Sequence, residues 1–343
     1  MQNAHNNPRA FVGAFGKHPG WNDHIDDIGL ETDRLVAFKR LLYIEGISGN
    51  VDAGTWEKLS PEQKLDGFGS DFLSLAGSAP LLGRMWASQD GKGRGRYPMV
   101  VCAQVPGQPL AWLMESAGPL LERIEAGCRA AKTADGVRQA VGAARDDLAA
   151  KIPVPGTVPF PVVPPALPGK ILADLVLALQ PIQNGSGFQR VVYKVERDMM
   201  AFLKDAGPGG RSQGLCQQIR VPSVMDRADR DLMAWTTAML CLLDPAVSLF
   251  LNRPAKAGWV DILVGAPKTL QFYCLLASRQ AIPSATDVPY NMDAPFVEKA
   301  NRLADIWRSG GEDVNKLLAR VDGTRGGGAQ AGWLGRIRNM FRS

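Results

Sequence analysis

Two of the chain's three histidines, one lysine and three aspartates fall within thirteen residues, 15-FGKHPGWNDHIDD-27. Such a set could hold a metal or move protons. His18 and His24 are six residues apart, with Asp23 between them and Asp26 and Asp27 following. Zinc and iron sites draw on histidine or cysteine at short fixed spacings such as HExxH, and no such spacing occurs. The other reading is a turn in which Asn22, Asp23 and Asp26 hydrogen-bond to their own backbone. The chemical reading is a metal-dependent hydrolase built on His18, Asp23 and His24.

Other catalytic patterns are missing from the sequence. It has no GxSxG, and no histidine beyond residue 24 to serve as a base. The glycine-rich runs 207-GPGGRS-212 and 91-GKGRGR-96 do not match the phosphate-cradling GxxxxGK[ST] pattern. The sequence points to no cofactor. A second candidate site is the cationic run 90-DGKGRGRYP-98, in which Asp90 precedes Lys92, Arg94 and Arg96. It reads either as a solvated hairpin tip or as a docking surface for an acidic partner.

Certain elements must position these groups. Residues 11–16 read as a strand leading into the cluster, and residues 32–46 as an amphipathic helix capped by Thr32 or Asp33 and ended by Gly46. The runs 81–88 and 97–105 read as a hairpin around the glycine-rich tip. Residues 119–151 read as two helical segments broken near Thr133–Asp135. The run 153–169 holds seven prolines, which fix φ and remove amide donors. It is expected to be an extended connector and a domain boundary.

Beyond the connector, helices are expected at 171–180, 189–205, 227–243, 267–279, 294–308 and 311–321. A loop at 207–214 and a second hairpin, 247–253 with 259–265, complete that half. The expected division is an α/β domain over 1–152, the connector, a helix-rich α+β domain over 170–322, and a tail over 323–343. Helix, hairpin and helix recur in both halves without a sequence repeat.

The chain has 343 residues, 45% hydrophobic and 21% charged, as expected for folded domains. Its net charge of +5 is concentrated at the end, where Arg320–Ser343 carries five arginines and one aspartate. A body so nearly neutral argues against a nucleic-acid-binding face. Five scattered cysteines without a CxxC pair suit a reducing compartment, and no apolar leader begins the sequence, so a cytoplasmic location is expected. After the glycine-rich 323–332, Trp333, Leu334, Ile337, Met340 and Phe341 share one arc of a helical wheel. Arg336, Arg338 and Arg342 lie outside that arc. Such a segment suits an anionic membrane surface or a partner's groove.

Taken together, 13-GAFGKHPGWNDHI-25, 83-GRMWAS-88 and 90-DGKGRGRYPMVV-101 resemble the TagF family, which accompanies bacterial type VI secretion systems. Gly16, Lys17 and Pro19 match its first signature, with His18 in a hydrophobic slot; Gly20 and Asp23 match a Gly-Asp loosely. Ser88, Asp90, Gly93, Arg96, Tyr97 and Pro98 match its second signature, with GRGR where the family has a simple Gly-Arg. A looser echo covers 248–276. The GWNDHIDDIGLET version and the proline-rich connector depart from the pattern. The resemblance implies a longin- or profilin-like sandwich, with a mainly antiparallel sheet flanked by helices. It also implies a non-enzymatic regulator that contacts a forkhead-associated scaffold protein or a membrane subunit of the apparatus. On that reading Lys17 to His24 form a structural corner. A structural subunit of a larger contractile or GTPase-associated complex remains a third reading.

Overall fold

The computed structural model describes residues 9–76, 80–153, 167–200, 216–242 and 248–309. The expected helix at 311–321, the tail, the 207–214 loop and most of the proline-rich connector lie outside the described residues. Among the described residues, no helix is long and apolar enough to cross a membrane.

Seven strands form one antiparallel sheet: β1 (Phe11–Gly16), β2 (Gly69–Leu75), β3 (Leu81–Ala87), β4 (Pro98–Gln104), β5 (Cys216–Pro222), β6 (Leu249–Pro254) and β7 (Trp259–Gly265). Their spatial order is β1-β4-β3-β2-β6-β7-β5. The protein is thus mixed α/β with an antiparallel sheet, as its alternating apolar runs predict. The expected boundary takes another form. Strand β2 of the first half pairs with β6 of the second, from Ser70 opposite Pro254 to Leu75 opposite Leu249. Both halves therefore lie on one sheet, and the apolar clusters on its two faces each draw residues from both.

Helices cover both faces, which is why β4 is buried along its whole length and reads as a continuous apolar run. Val100 and Cys102 point to one face; Met99, Val101 and Ala103 point to the other. The first face carries α1 (Asp33–Lys39), a wide π-helical stretch (Arg40–Ser48), the short α2 (Gly49–Asp52) and a 3-10 helix (Thr269–Leu275). The second face carries α3 (Leu110–Ala130), α4 (Ala134–Ala150), α5 (Leu167–Leu179), α6 (Gly187–Lys194), α7 (Ala228–Leu242) and α8 (Ala294–Arg308).

Several boundaries differ from the sequence reading for physical reasons. Thr32 caps α1, its hydroxyl accepting from the Leu35 amide at 3.1 Å, but Gly46 does not end the helix. The helical backbone runs on to Asp52, and Gly46 within it lies against Phe272, where a Cβ would stand 2.7 Å from the ring. Helix α3 begins at Leu110 and passes through Pro119. The Glu115 carbonyl that Pro119 cannot serve sits on an exposed turn. The break near Thr133–Asp135 falls where expected, and Thr133 caps α4, its hydroxyl accepting from the Gly136 amide at 3.2 Å. The expected helix at 267–279 is a shorter 3-10 helix, and the one at 189–205 appears as α6 followed by a π-helical turn, Val195–Met200.

The two halves are not copies in topology. Strands β1 and β2, linked through α1, run antiparallel, whereas β5 and β6, linked through α7, run parallel with β7 between them.

Candidate functional site

The corner begins where β1 ends. Gly16 has φ +119°, and a Cβ there would lie 2.2 Å from the Pro98 carbonyl oxygen, so only glycine fits. The chain then turns and comes back along the free edge of β1. The amide of Ile25 donates to Gly16, and Ala14 and Ile28 exchange a pair of hydrogen bonds. This return strip covers an edge that would otherwise offer unpaired amides.

Lys17 and His18, where the turn begins, are buried, with 4% and 2% of their surface exposed. The ammonium of Lys17 donates to Asp90 Oδ2 at 2.8 Å, lies 3.6 Å from Asp23 and sits 5.6 Å from the centre of the Tyr97 ring. Asp90 is itself buried, and its two oxygens are shared out. Oδ1 accepts the amides of Lys92 and Arg94, each at 3.0 Å; Oδ2 accepts Arg94 Nε at 2.8 Å beside Lys17. Burial acts to raise the Asp90 carboxyl, but hydrogen bonds from Lys17 and from Arg94 and Lys92 outweigh it and hold the group well below the usual carboxylate range. One side chain thus shapes the hairpin tip and ties it to the β1 corner.

His18 serves another partner. Its Nε2 donates to the Cys128 carbonyl at 2.7 Å, and its Nδ1 accepts from the Gly20 amide at 3.0 Å. Cys128 lies in the last turn of α3, whose terminal carbonyls have no partner within the helix. His18 therefore caps α3, and both ring nitrogens are committed. Trp21 stacks edge-on to His18, carries the Arg138 guanidinium over its ring and donates to Asp26, which also binds Arg138. The turn is thereby clamped to α4.

The outer rim is accessible. Asp23 stands 3.3 Å from Arg94 and 3.2 Å from His24. Its carboxyl is raised by burial but lowered further by Arg94, His24 and Lys17, leaving it below its ordinary value. His24 lies edge-on to Tyr43 and Tyr97. Arg96 pairs with Glu57, and Lys92 projects into solvent. The structure so brings Lys17, Asp23, His24, Asp90 and Arg94 together, with Lys92 and Arg96 on the same hairpin. It sends His18 elsewhere. Among the described residues, no group of three or more His, Cys, Asp or Glu side chains is arranged to hold a metal. The tail residues Trp333, Leu334, Arg336, Ile337, Arg338, Met340, Phe341 and Arg342 lie outside the described residues.

Two buried polar centres were missed in the sequence reading. Arg220 and Asp261, both fully buried, pair at 2.7 and 2.8 Å between β5 and β7. Arg220 also donates to the carbonyls of Ser278, Ile282 and Ala277, and lies 4.3 Å from the centre of the Trp259 ring. Across the opposite face, Asp71 of β2 stands opposite Arg84 of β3 and Arg253 of β6. Arg84 reaches Glu122 and Glu125 of α3, and Arg253 reaches Asp231 of α7. The available signal was a lone charge inside an apolar strand, as in 259-WVDILVG-265. The cysteines are no reactive set: burial pushes the Cys102, Cys128 and Cys216 thiols up to about 12.

Compared with known proteins, the chain matches no family model and no curated sequence.

Proposed function

We propose that this protein is a non-enzymatic adaptor of TagF type. On this reading it controls assembly of a type VI secretion-like apparatus from the cytoplasmic side of the inner membrane. The observation that carries the reading is the buried Lys17–Asp90 pair, which joins the two segments bearing the TagF resemblance. The pair itself is buried, so it works as a rigid support. What it presents outward is a mixed-charge rim of Asp23, His24, Lys92, Arg94 and Arg96, a surface suited to a protein partner. The resemblance names the partner class as a forkhead-associated scaffold or a membrane subunit of the apparatus. The basic amphipathic tail would add an anionic membrane surface.

The test is an affinity pull-down from native lysate with three forms: the full chain, a chain lacking 323–343, and Lys92→Glu with Arg96→Glu. Secretion-apparatus or forkhead-associated proteins recovered with the full chain and lost with the rim variant support the proposal. Recovery of such partners unchanged by the rim variant moves the contact elsewhere, and recovery of none sinks the adaptor reading. The metal-hydrolase alternative gains no support from the geometry, since His18 has no free ring nitrogen. Stoichiometric zinc, iron or manganese in the purified protein would revive it.

A further inference from the structure

We propose that residues 311–321, which lie outside the described residues, form a helix that folds back from α8 and docks on the open side of α5. Helix α5 carries only two charged residues, Lys170 and Asp174. It packs against α7 and α8, and Leu172, Leu175, Val176 and Leu179 are buried. On its other side Leu177 is 57% exposed, with Ala173 and Ala178 half-buried beside it. A helix apolar on nearly every side is normally covered on every side. The other large apolar side chains exposed among the described residues, Val36, Ile44 and Leu270, belong to elements of the first face. The Leu177 stripe is therefore a separate surface.

The place where α8 ends identifies the occupant. The Arg308 guanidinium donates to Gln180 Oε1 at 3.4 Å, just past the end of α5. Ser309 closes α8, its amide donating to the Asp305 carbonyl at 3.0 Å and its hydroxyl to the Ile306 carbonyl at 2.8 Å. The chain therefore leaves α8 at the C-terminal end of the Leu177 stripe. It continues as 310-GGEDVNKLLARVDG-323. Two glycines suit a sharp reversal, and Ser309–Gly311 has the length of a connection between antiparallel helices. Val314, Leu317, Leu318 and Val321 follow at i, i+3, i+4 and i+7, which places them on one helix face. Glu312 and Asp313 at the start and Arg320 near the end complement the helix dipole. The segment spans about 16 Å as a helix, against about 10 Å from Leu177 to Lys170. So short a link gives it an effective concentration that a second copy lacks. The docking is independent of the adaptor reading. It starts the 323–332 tether at the Lys170 end of α5.

The experiment is disulfide trapping in the full chain, with cross-links located by peptide mass mapping. Leu177→Cys is combined in turn with Leu317→Cys on the apolar face, Lys316→Cys on the opposite face, and Ile337→Cys in the tail. An intramolecular cross-link between positions 177 and 317 is expected to form about tenfold faster than one between 177 and 316, the factor that burial of one leucine supplies. Neighbouring positions on one tether differ in this way only if the segment is helical and docked. In Leu177→Cys alone, adding Leu317→Asp should speed maleimide labelling at position 177 about tenfold, while adding Ile337→Asp should leave it unchanged. Equal rates for 316 and 317, or labelling indifferent to Leu317→Asp, overturns the proposal. So does preferred trapping of position 337, which makes the tail the occupant, or of position 177 on a second chain, which makes it a dimer face. The comparison of 316 with 317 stands even if Leu317→Asp folds poorly.

Discussion

The Lys17 ammonium and the Asp90 carboxylate, 73 residues apart in sequence, meet at 2.8 Å in the interior of the corner. Because Asp90 also accepts the Lys92 and Arg94 amides, the pair couples the hairpin tip to the end of β1. Removing one partner leaves the other charged and buried. Lys17→Met and Asp90→Asn should each lower Tm clearly. The double variant should recover part of the loss, and a double-mutant cycle measures that coupling. Additive losses would show that the pair does not act as a unit.

The same carboxylate fixes a pH dependence. Its folded value lies below the ordinary one, so its contribution is complete above an unfolded value near 3.8 and is lost as pH falls through the depressed folded value. Acid titration of stability should therefore show a drop beginning below about pH 4 that is smaller in Asp90→Asn.

Asp71 behaves in the opposite sense. Burial raises it to about 6; Arg84 and Arg253 pull it down, and Glu122 and Glu125 push it up. Its folded value therefore exceeds its unfolded value of 3.8, so the folded state binds the extra proton between those limits. Stability from this group falls as pH rises from about 4 to 6 and levels off above, a cost on the order of 3 kcal/mol. Asp71→Asn should flatten that part of the profile, as read by urea unfolding at stepped pH. A slope identical to wild type would mean that the two arginines keep Asp71 ionised throughout.

Much of this fold was legible in the sequence, for reasons that particular residues make clear. Strands β1, β3, β4, β6 and β7 are apolar runs with turn residues at their ends, and Thr133 marked the break between α3 and α4. Strands β2 and β5 were missed because Ser70, Asp71, Gln217, Gln218 and Arg220 interrupt their apolar pattern, and Asp71, Gln218 and Arg220 meet charged or polar partners on neighbouring strands that are far away in sequence. The corner was legible as a turn. Its energetics were not, since Lys17 and His18 act through Asp90 and Cys128, 73 and 110 residues away. Spacing within a motif reports local geometry and is silent on such contacts.

Arg220 offers a sharper test of a long-range polar centre. It fills its donors with the Asp261 carboxylate and with carbonyls of the 274–282 segment. Lysine keeps the charge but lacks the planar fork and two of the donors. Arg220→Lys should cost about 3 kcal/mol or more, as expected when a buried pair is broken. Hydrogen exchange should show the 276–286 segment opening before the rest of the sheet. Uniform loss of protection across all strands would mean that this segment is not a separately stabilised unit.

Gly46 supplies a test in which propensity and packing oppose each other. Alanine in a helix interior is favoured over glycine by about 1 kcal/mol. Here the added methyl would stand 2.7 Å from the Phe272 ring, inside a core in which Phe272 is fully buried. Overpacking costs about 1–3 kcal/mol, so Gly46→Ala should be net destabilising despite its better propensity. Phe272→Leu alone should also destabilise by leaving space. Combined with Gly46→Ala it should do less harm than the two separate losses together, because the methyl occupies room that the ring vacates. Thermal unfolding of the four proteins decides the matter: a stabilised Gly46→Ala would mean that the helix shifts away from Phe272 at little cost, and that glycine is not required where the wide turn crosses the 3-10 helix.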